Sequence, residues 1–237
     1  MRRLKILDYA ISSLWRRRFK NLSIIAVFTV MIAVLASILI LTHSLRVEAK
    51  LILADAPDVV VQRLTGGRHD LIPVSVVDAI REIPGVGEVR PRYWGYYYDA
   101  LTEGNYTLLG LDAEGPSNLA LLEGDLPSEV ASCAIGAGVA SARRIGIGDE
   151  LVLIDSRNIG VIFDVVGIFN AESEVLTNDL VVFRNDDVIE FFGLPDGMAT
   201  DLSVQVYNEK EVSTIASKIK RGFPETRPIT RSEMIRT

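Results

Sequence analysis

Leu22 to Thr42 reads LSIIAVFTVMIAVLASILILT, and no Asp, Glu, Lys or Arg occurs anywhere from Asn21 to Leu45. A helix rises about 1.5 Å per residue, so this stretch spans about 31 Å, the thickness of a bilayer's hydrocarbon core. In lipid the backbone must satisfy its own polar groups, so the segment is expected to be helical despite its β-branched residues. Arg16, Arg17, Arg18 and Lys20 precede it, and Arg46, Glu48 and Lys50 follow. The positive-inside rule then predicts a cytoplasmic N-terminus and an extracytoplasmic bulk. A cleaved signal peptide would have a shorter apolar region, about 7–15 residues. The small-residue site Ala54-Asp55-Ala56 also lies well past the apolar run. A buried helix of a soluble protein fits less well, because the polar residues here are only Ser, Thr and His43.

Charge divides at this segment. Residues 1–21 carry seven Lys/Arg and one Asp, whereas the remaining 216 residues carry 18 basic and 30 acidic side chains. Upstream, Leu4, Leu7, Ile11 and Leu14 recur at helical spacing among polar residues. Residues 1–21 are therefore read as an amphipathic helix at the cytoplasmic interface, with Trp15 at headgroup level. A frayed basic tail that only sets topology is the alternative. Across all 237 residues, 49% are hydrophobic and 24% charged, which excludes a wholly disordered or collagen-like chain. The net charge of −6 argues against nucleic acid as a partner. A lone Cys133 excludes an internal disulfide framework and an all-cysteine metal cage.

Residues 46–237 are numerous enough to bury a core. Asp58 to Gln62 reads as a strand. Pro73 and Ser75 open a helix bearing Val76, Ile80 and Ile83, with Ser75 as its cap, and Pro84-Gly85 ends it. One long strand region is expected from Val86 to Tyr98, pairing back with Asn105 to Leu111. Residues 113–183 change texture, with many glycines and short β runs at Glu150–Ile154, Val161–Phe169 and Leu180–Phe183. Gly160 is expected at the turn between the first two runs. Helices are expected at Ala137–Arg144 and, capped by Asn185 and stopped by Gly193, at Asp186–Phe192. Asp201 to Tyr207 alternates like a half-buried strand. Asn208 then caps a helix with Val212, Ile215, Ala216 and Ile219 on one stripe, and Arg227–Ile229 is a last strand.

A βαβ pattern thus occurs twice, around a β-rich insert. Such halves build one ferredoxin-like sheet with helices on one side. The fold class is α+β, with one N-terminal transmembrane helix (22–45) and a two-lobed extracytoplasmic domain (46–237). The split ferredoxin-like lobe takes 46–112 and 199–230, and the inserted lobe 113–198. Thr230-Arg231-Ser232-Glu233 is a capping box that starts another helix near the end, at 231–237, which predicts continuation in a longer polypeptide.

Motifs for chemistry are few. His43 lies at the membrane boundary and His69 in an expected loop, neither with ligand-like neighbours. Cys133 reads as a small buried residue. Gly136-Ala137-Gly138 begins a dinucleotide fingerprint but lacks its third glycine, and no P-loop or nucleophile elbow exists. The carboxylates Glu123, Asp125, Glu129, Asp149, Glu172, Glu174, Asp179, Asp186 and Asp187 read as a solvated surface. No catalytic, cofactor-binding or metal-ligating residue is assigned. In a strand, Trp94, Tyr96 and Tyr98 share one face and Tyr93 and Tyr97 the other. Such a face serves core packing or a ligand or partner platform.

Several stretches in order resemble the N-terminal portion of ABC-transporter permeases of the MacB/FtsX/LolC type. They are Leu14 to Leu22, Leu122-Glu123-Gly124-Asp125-Leu126-Pro127, Ala134 to Ala140, Gly146 to Leu151, Phe163 to Phe169, Thr200-Asp201 and Ile229 to Met234. The resemblance implies a ferredoxin-like porter lobe with an inserted β-rich lobe. It further implies a permease that forms homo- or heterodimers and pairs with cytoplasmic ABC ATPase subunits. Such permeases convert ATP hydrolysis into motion of the outer domain, for efflux or mechanotransmission, toward an extracytoplasmic adaptor or substrate protein. No cofactor is implied. The family's three later transmembrane helices do not occur in this sequence, which points to a fragment or one half of a split permease. Two other readings are a single-pass anchored binding or sensor module without an ATPase, and a membrane-tethered hydrolase using the acidic loops.

Overall fold

The computed structural model describes residues 18–52, 56–112, 121–169 and 178–234. The expected interfacial helix of residues 1–21, apart from its last turn, and the Ala54-Asp55-Ala56 site lie outside these except for Ala56. The chain divides into two compact units, Met1–Ala49 and Lys50–Thr237. Most of the first unit is helix α1, Arg18–Ile52. Leu22–Leu45 within it is long and apolar enough to cross a membrane. The hydroxyls of Ser23, Ser37 and Thr42 donate to the carbonyls of Phe19, Ala33 and Ile38 at 2.8–2.9 Å. Each hydroxyl is thereby satisfied within the helix, as an apolar solvent requires. The helix runs on to Ile52, past the Leu45 bound expected for the transmembrane segment.

The second unit holds two large sheets. In the first, β1 (Val59–Thr65), β4 (Val86–Arg92), β13 (Asp201–Val206) and β14 (Thr226–Thr230) lie in the order β14–β1–β13–β4. All three neighbouring pairs are antiparallel. Helix α2 (Val76–Arg81) links β1 to β4, and α5 (Val212–Gly222) links β13 to β14. This is the split βαβ arrangement of a ferredoxin-like sheet. Alternation along the strands turns Val59, Val61, Leu202 and Val204 to one face, where they meet Val77, Ile80, Ile215 and Ile219. Each such buried aliphatic stabilises the fold by about 1.5–3 kcal/mol relative to exposure.

The second sheet has seven strands, in the order β5–β6–β11–β8–β10–β7 with β9 paired to β10. They are β5 (Trp94–Asp99), β6 (Gly104–Leu111), β7 (Leu121–Gly124), β8 (Ser132–Gly136), β9 (Glu150–Ile154), β10 (Gly160–Phe169) and β11 (Leu180–Arg184). Helices α3 (Ala137–Arg143) and α4 (Asn185–Phe192) supply Val139, Val188 and Phe191 to a core with Leu108, Ile135, Val165 and Phe183. Small elements complete the unit: β2 (Arg68–Asp70), which pairs with β1, and β3 (Ile72–Pro73) with β12 (Met198–Ala199).

Several local expectations change. The strand expected over Val86–Tyr98 breaks at Tyr93, so β5 and β6 join the second sheet instead of staying with the first. Thr200 bridges the break. Its N–H takes the Arg92 carbonyl at 3.0 Å, and its hydroxyl then occupies the Trp94 backbone. His69 lies in β2, not in a loop. Gly160 is the first residue of β10, opposite Ile154. The turn is made by Asp155, whose carboxylate accepts the Arg157 and Ile159 N–H groups at 2.8 Å. Ser75 makes no side-chain cap, and Arg184, not Asn185, precedes α4. No local pattern in the sequence predicts strands β7 and β8. β8 is buried at every residue, so it lacks the alternation that marks a half-buried strand.

Candidate functional site

Two polar clamps stand out, one at the ends of the first sheet and one between the sheets. Asp58 sits just before β1 and Arg231 just after β14, whose ends are in register through Val59 opposite Thr230. Arg231 Nη2 lies 3.0 Å from Asp58 Oδ1, and the Arg231 N–H donates to the Asp58 carbonyl at 3.0 Å. The same guanidinium donates to the Ala56 carbonyl. Asp58 Oδ2 accepts the Val206 N–H at 2.8 Å, tying in β13. The carboxylate half of the capping box is formed: Glu233 Oε2 accepts the Thr230 N–H at 2.8 Å and the Thr230 hydroxyl at 2.9 Å. It starts α6, Arg231–Met234. The chain therefore enters and leaves the first sheet on neighbouring strands, clasped by a charge-assisted bond.

The second clamp joins the strands that cross between the sheets. Asp201 opens β13 and is fully buried. It accepts Arg92 Nε and Nη2 at 2.6 and 2.7 Å and the Trp94 indole N–H at 3.1 Å. Its neighbour Thr200 holds the Trp94 backbone on both sides, receiving its N–H at 3.1 Å and donating to its carbonyl at 2.9 Å. His69 Nε2 meets the Thr200 carbonyl at 3.0 Å, and its ring stacks on Trp94 with centroids 6.2 Å apart. Tyr93, between the two sheets, packs against both hydrophobic cores. Sequence reading singles out Thr200-Asp201, puts His69 in a loop without ligand-like neighbours and leaves Arg92 unmarked, since nothing local shows their partners.

Beyond the clamp, β5 divides its aromatics as alternation requires. Tyr97 packs edge-on against Phe191, and its hydroxyl accepts the Ile154 N–H at 3.1 Å. Tyr96 and Tyr98 are 71% and 60% exposed on the other face. At the end of β5, buried Asp99 accepts Arg143 Nη2 at 2.7 Å, the Thr102 hydroxyl at 2.6 Å and the Leu101 N–H at 3.3 Å. Burial alone would raise the Asp99 pKa. Its hydrogen bonds and the Arg143 charge outweigh that and hold the carboxyl below the usual range.

The remaining sequence candidates find structural roles. Cys133 is fully buried, and burial, with the Asp164 charge, pushes its thiol up to about 12. Gly138 starts α3 so close to Asn178 that a Cβ would lie 2.5 Å from its carbonyl oxygen, so close packing accounts for this glycine. Gly124, at φ +79°, faces Gly167 across β7 and β10, where a Cβ would meet the Val166 carbonyl at 2.1 Å. Asp149 accepts the Gly146 N–H at 2.8 Å, and Asp186 pairs with Arg184 at 2.9 Å. Glu172 and Glu174 lie outside the described residues. Among the described residues, no three His, Cys, Asp or Glu side chains converge as a metal site would.

Residues 23–222 match the family described as MacB-like periplasmic core domain. The extracellular domain of the noncanonic ABC-type transporter YknZ from Gram-positive bacteria is similar, with a TM-score of 0.50 at 11% identity over 73% of this chain and 99% of that one. The periplasmic region of MacB from Actinobacillus actinomycetemcomitans is similar with a TM-score of 0.53 at 11% identity, over 78% and 94%. At that identity the likeness is one of fold. No curated protein is similar to this chain at a significant level.

Proposed function

This chain belongs to the family of the MacB-like periplasmic core domain, and on that premise we propose that it is a permease component that passes mechanical motion from a cytoplasmic ATPase to extracytoplasmic lobes. In this reading α1 anchors the chain in membrane lipid, with the basic N-terminus in the cytoplasm and the acidic remainder outside. An ABC ATPase subunit supplies the energy, and a second permease copy completes the assembly. The output is efflux or mechanotransmission toward an extracytoplasmic adaptor or substrate protein. The first sheet is the porter lobe, and residues 94–198 are the inserted lobe, with the lobe boundary at Tyr93 and Thr200.

The observation that carries this reading is the clasp at Asp58 and Arg231. Strands β1 and β14 are neighbours, so the polypeptide arrives at and departs from the porter lobe at one bonded point. A displacement delivered there moves the sheet as a body. The buried Arg92–Asp201 clamp hands the displacement to the inserted lobe.

The test replaces residues 46–57 with a Gly/Ser linker in the complete complex. A flexible linker transmits no torque. ATPase stimulation is expected to uncouple from outer-domain motion, and transport to cease, while the complex still assembles. Unchanged transport refutes the mechanism. Copurification separates this from an anchored sensor, which brings down no ATPase.

A further inference from the structure

Strand β5 forms one end of the seven-stranded sheet, and among the described residues its outer edge is open at two positions. Gly110 N–H bonds to the Tyr93 carbonyl at 2.8 Å, which sets the alternation: Tyr93, Gly95, Tyr97 and Asp99 turn their backbone groups toward β6. Trp94, Tyr96 and Tyr98 turn theirs away. The Thr200 hydroxyl occupies the Trp94 groups. The N–H and C=O of Tyr96 and Tyr98 meet no partner among the described residues. Proteins ordinarily guard an open edge with Lys, Pro or a bulge. β5, WGYYYD, has none of these, and its one charge, Asp99, is buried and paired with Arg143.

We propose that this edge pairs with β5 of a second copy of the chain. The pairing is antiparallel about a two-fold axis at Tyr97, which sets Tyr96 of each copy opposite Tyr98 of the other. The open edge is self-complementary in this register. Thr200 closes it on one side and the Ala100–Glu103 turn on the other. Between them, each free N–H and C=O of Tyr96 meets a free C=O and N–H of the second copy's Tyr98, with none left over. Charge does not oppose this occupant at the contact itself: residues 22–237 carry 30 acidic against 18 basic side chains, but Trp94 to Tyr98 is uncharged, so the like charges of two copies lie away from the paired strands. The exposed tyrosines then form aromatic cross-strand pairs. A strand edge alone buries less than a stable dimer needs. Tethering both copies in one membrane supplies the effective concentration, and in this respect the inference rests on the anchored, dimeric permease proposed above.

The register is testable by disulfide trapping of the full chain in liposomes, using Tyr96→Cys and Tyr98→Cys separately and mixed. Both positions are exposed, and native Cys133 is buried and silent. Opposed residues of a hydrogen-bonded antiparallel pair lie about 5.5 Å apart between Cα atoms, within disulfide reach. Positions 96 and 96, or 98 and 98, are diagonal at about 7–8 Å and lie beyond it. The mixture is therefore expected to give at least about tenfold more covalent dimer than either variant alone, a ratio set by that reach. Equal cross-linking in all three samples, or none in the mixture, overturns this interface. A lysine-reactive cross-linker on the same liposomes separates the two ideas. Dimer captured by it without a 96–98 bond refutes the interface alone, and no dimer by either route refutes the dimeric permease as well.

Discussion

Asp201→Ala removes the centre of the clamp between the sheets. The side chain is wholly buried, and Arg92 across from it is 32% exposed. Breaking a buried ion pair by deleting one partner costs about 3–5 kcal/mol, because the other charge is stranded. Water reaches part of the Arg92 guanidinium, which lowers that figure to about 2–3 kcal/mol. The Trp94 indole N–H, 3.1 Å from Asp201, also loses its acceptor, adding about 1 kcal/mol. The expected total is about 3 kcal/mol, a large part of the 5–15 kcal/mol that a folded domain commands. Asp201→Asn keeps the shape and one acceptor and should cost about half as much. The assay is urea unfolding of the full chain in detergent, followed by Trp94 fluorescence in a Trp15→Phe background that removes the other of its two tryptophans. Hydrogen exchange should show β5 and β13 loosening before either core. A cycle with Arg92→Met should give a coupling of about 2 kcal/mol. A loss under about 0.5 kcal/mol with additive single variants would refute the clamp, since that is the range of an ordinary surface substitution.

Two further outcomes follow from buried groups of the second sheet. Asp99 is held below its unfolded-state range, so its stabilising contribution is complete above that range and is lost as pH falls through the lower folded value. Asp99→Asn should therefore weaken the protein at neutral pH and flatten the acid limb of its stability curve, and an unchanged limb in acid titration counts against the assignment. Cys133, pushed up to about 12, should resist maleimide at pH 8 in the native protein and react promptly in urea; fast native labelling would show that the core opens or that the thiol is exposed.

Local signals made much of the fold legible. The stripe Ile215, Ala216 and Ile219 on α5 and the alternation of DLSVQV on β13 depend only on the period of each element, so they could be read from neighbours in sequence. Asn208 caps the 3-10 turn Glu209–Glu211 that leads into α5, and not α5 itself, its side chain accepting the Lys210 N–H at 3.2 Å, another short-range bond. The clamps were not legible, because their partners are remote. Arg92 and Asp201 are separated by 109 residues and Arg231 reaches back to Ala56 across 175. Even so, Thr200-Asp201 and Ile229 to Met234 are legible in the sequence as family-like stretches, and each carries one side of a clamp.

By itself, the sequence determined the apolar helix, the paired βαβ halves, the presence of a β-rich insert between them and the division of β5 into two aromatic faces, but not that the second sheet begins at Trp94, well before the expected bound at residue 113. Periodicity and charge suffice for these, since each arises within a few turns or strand residues. Only the tertiary structure decided that the strand through Tyr93 changes sheets, that β8 runs through the buried middle of the second sheet, and that Tyr96 and Tyr98 are left at an open edge. Those outcomes depend on contacts between segments far apart in sequence. At Trp94 a single threonine hydroxyl, from the far side of the insert, stands where a neighbouring strand would pair.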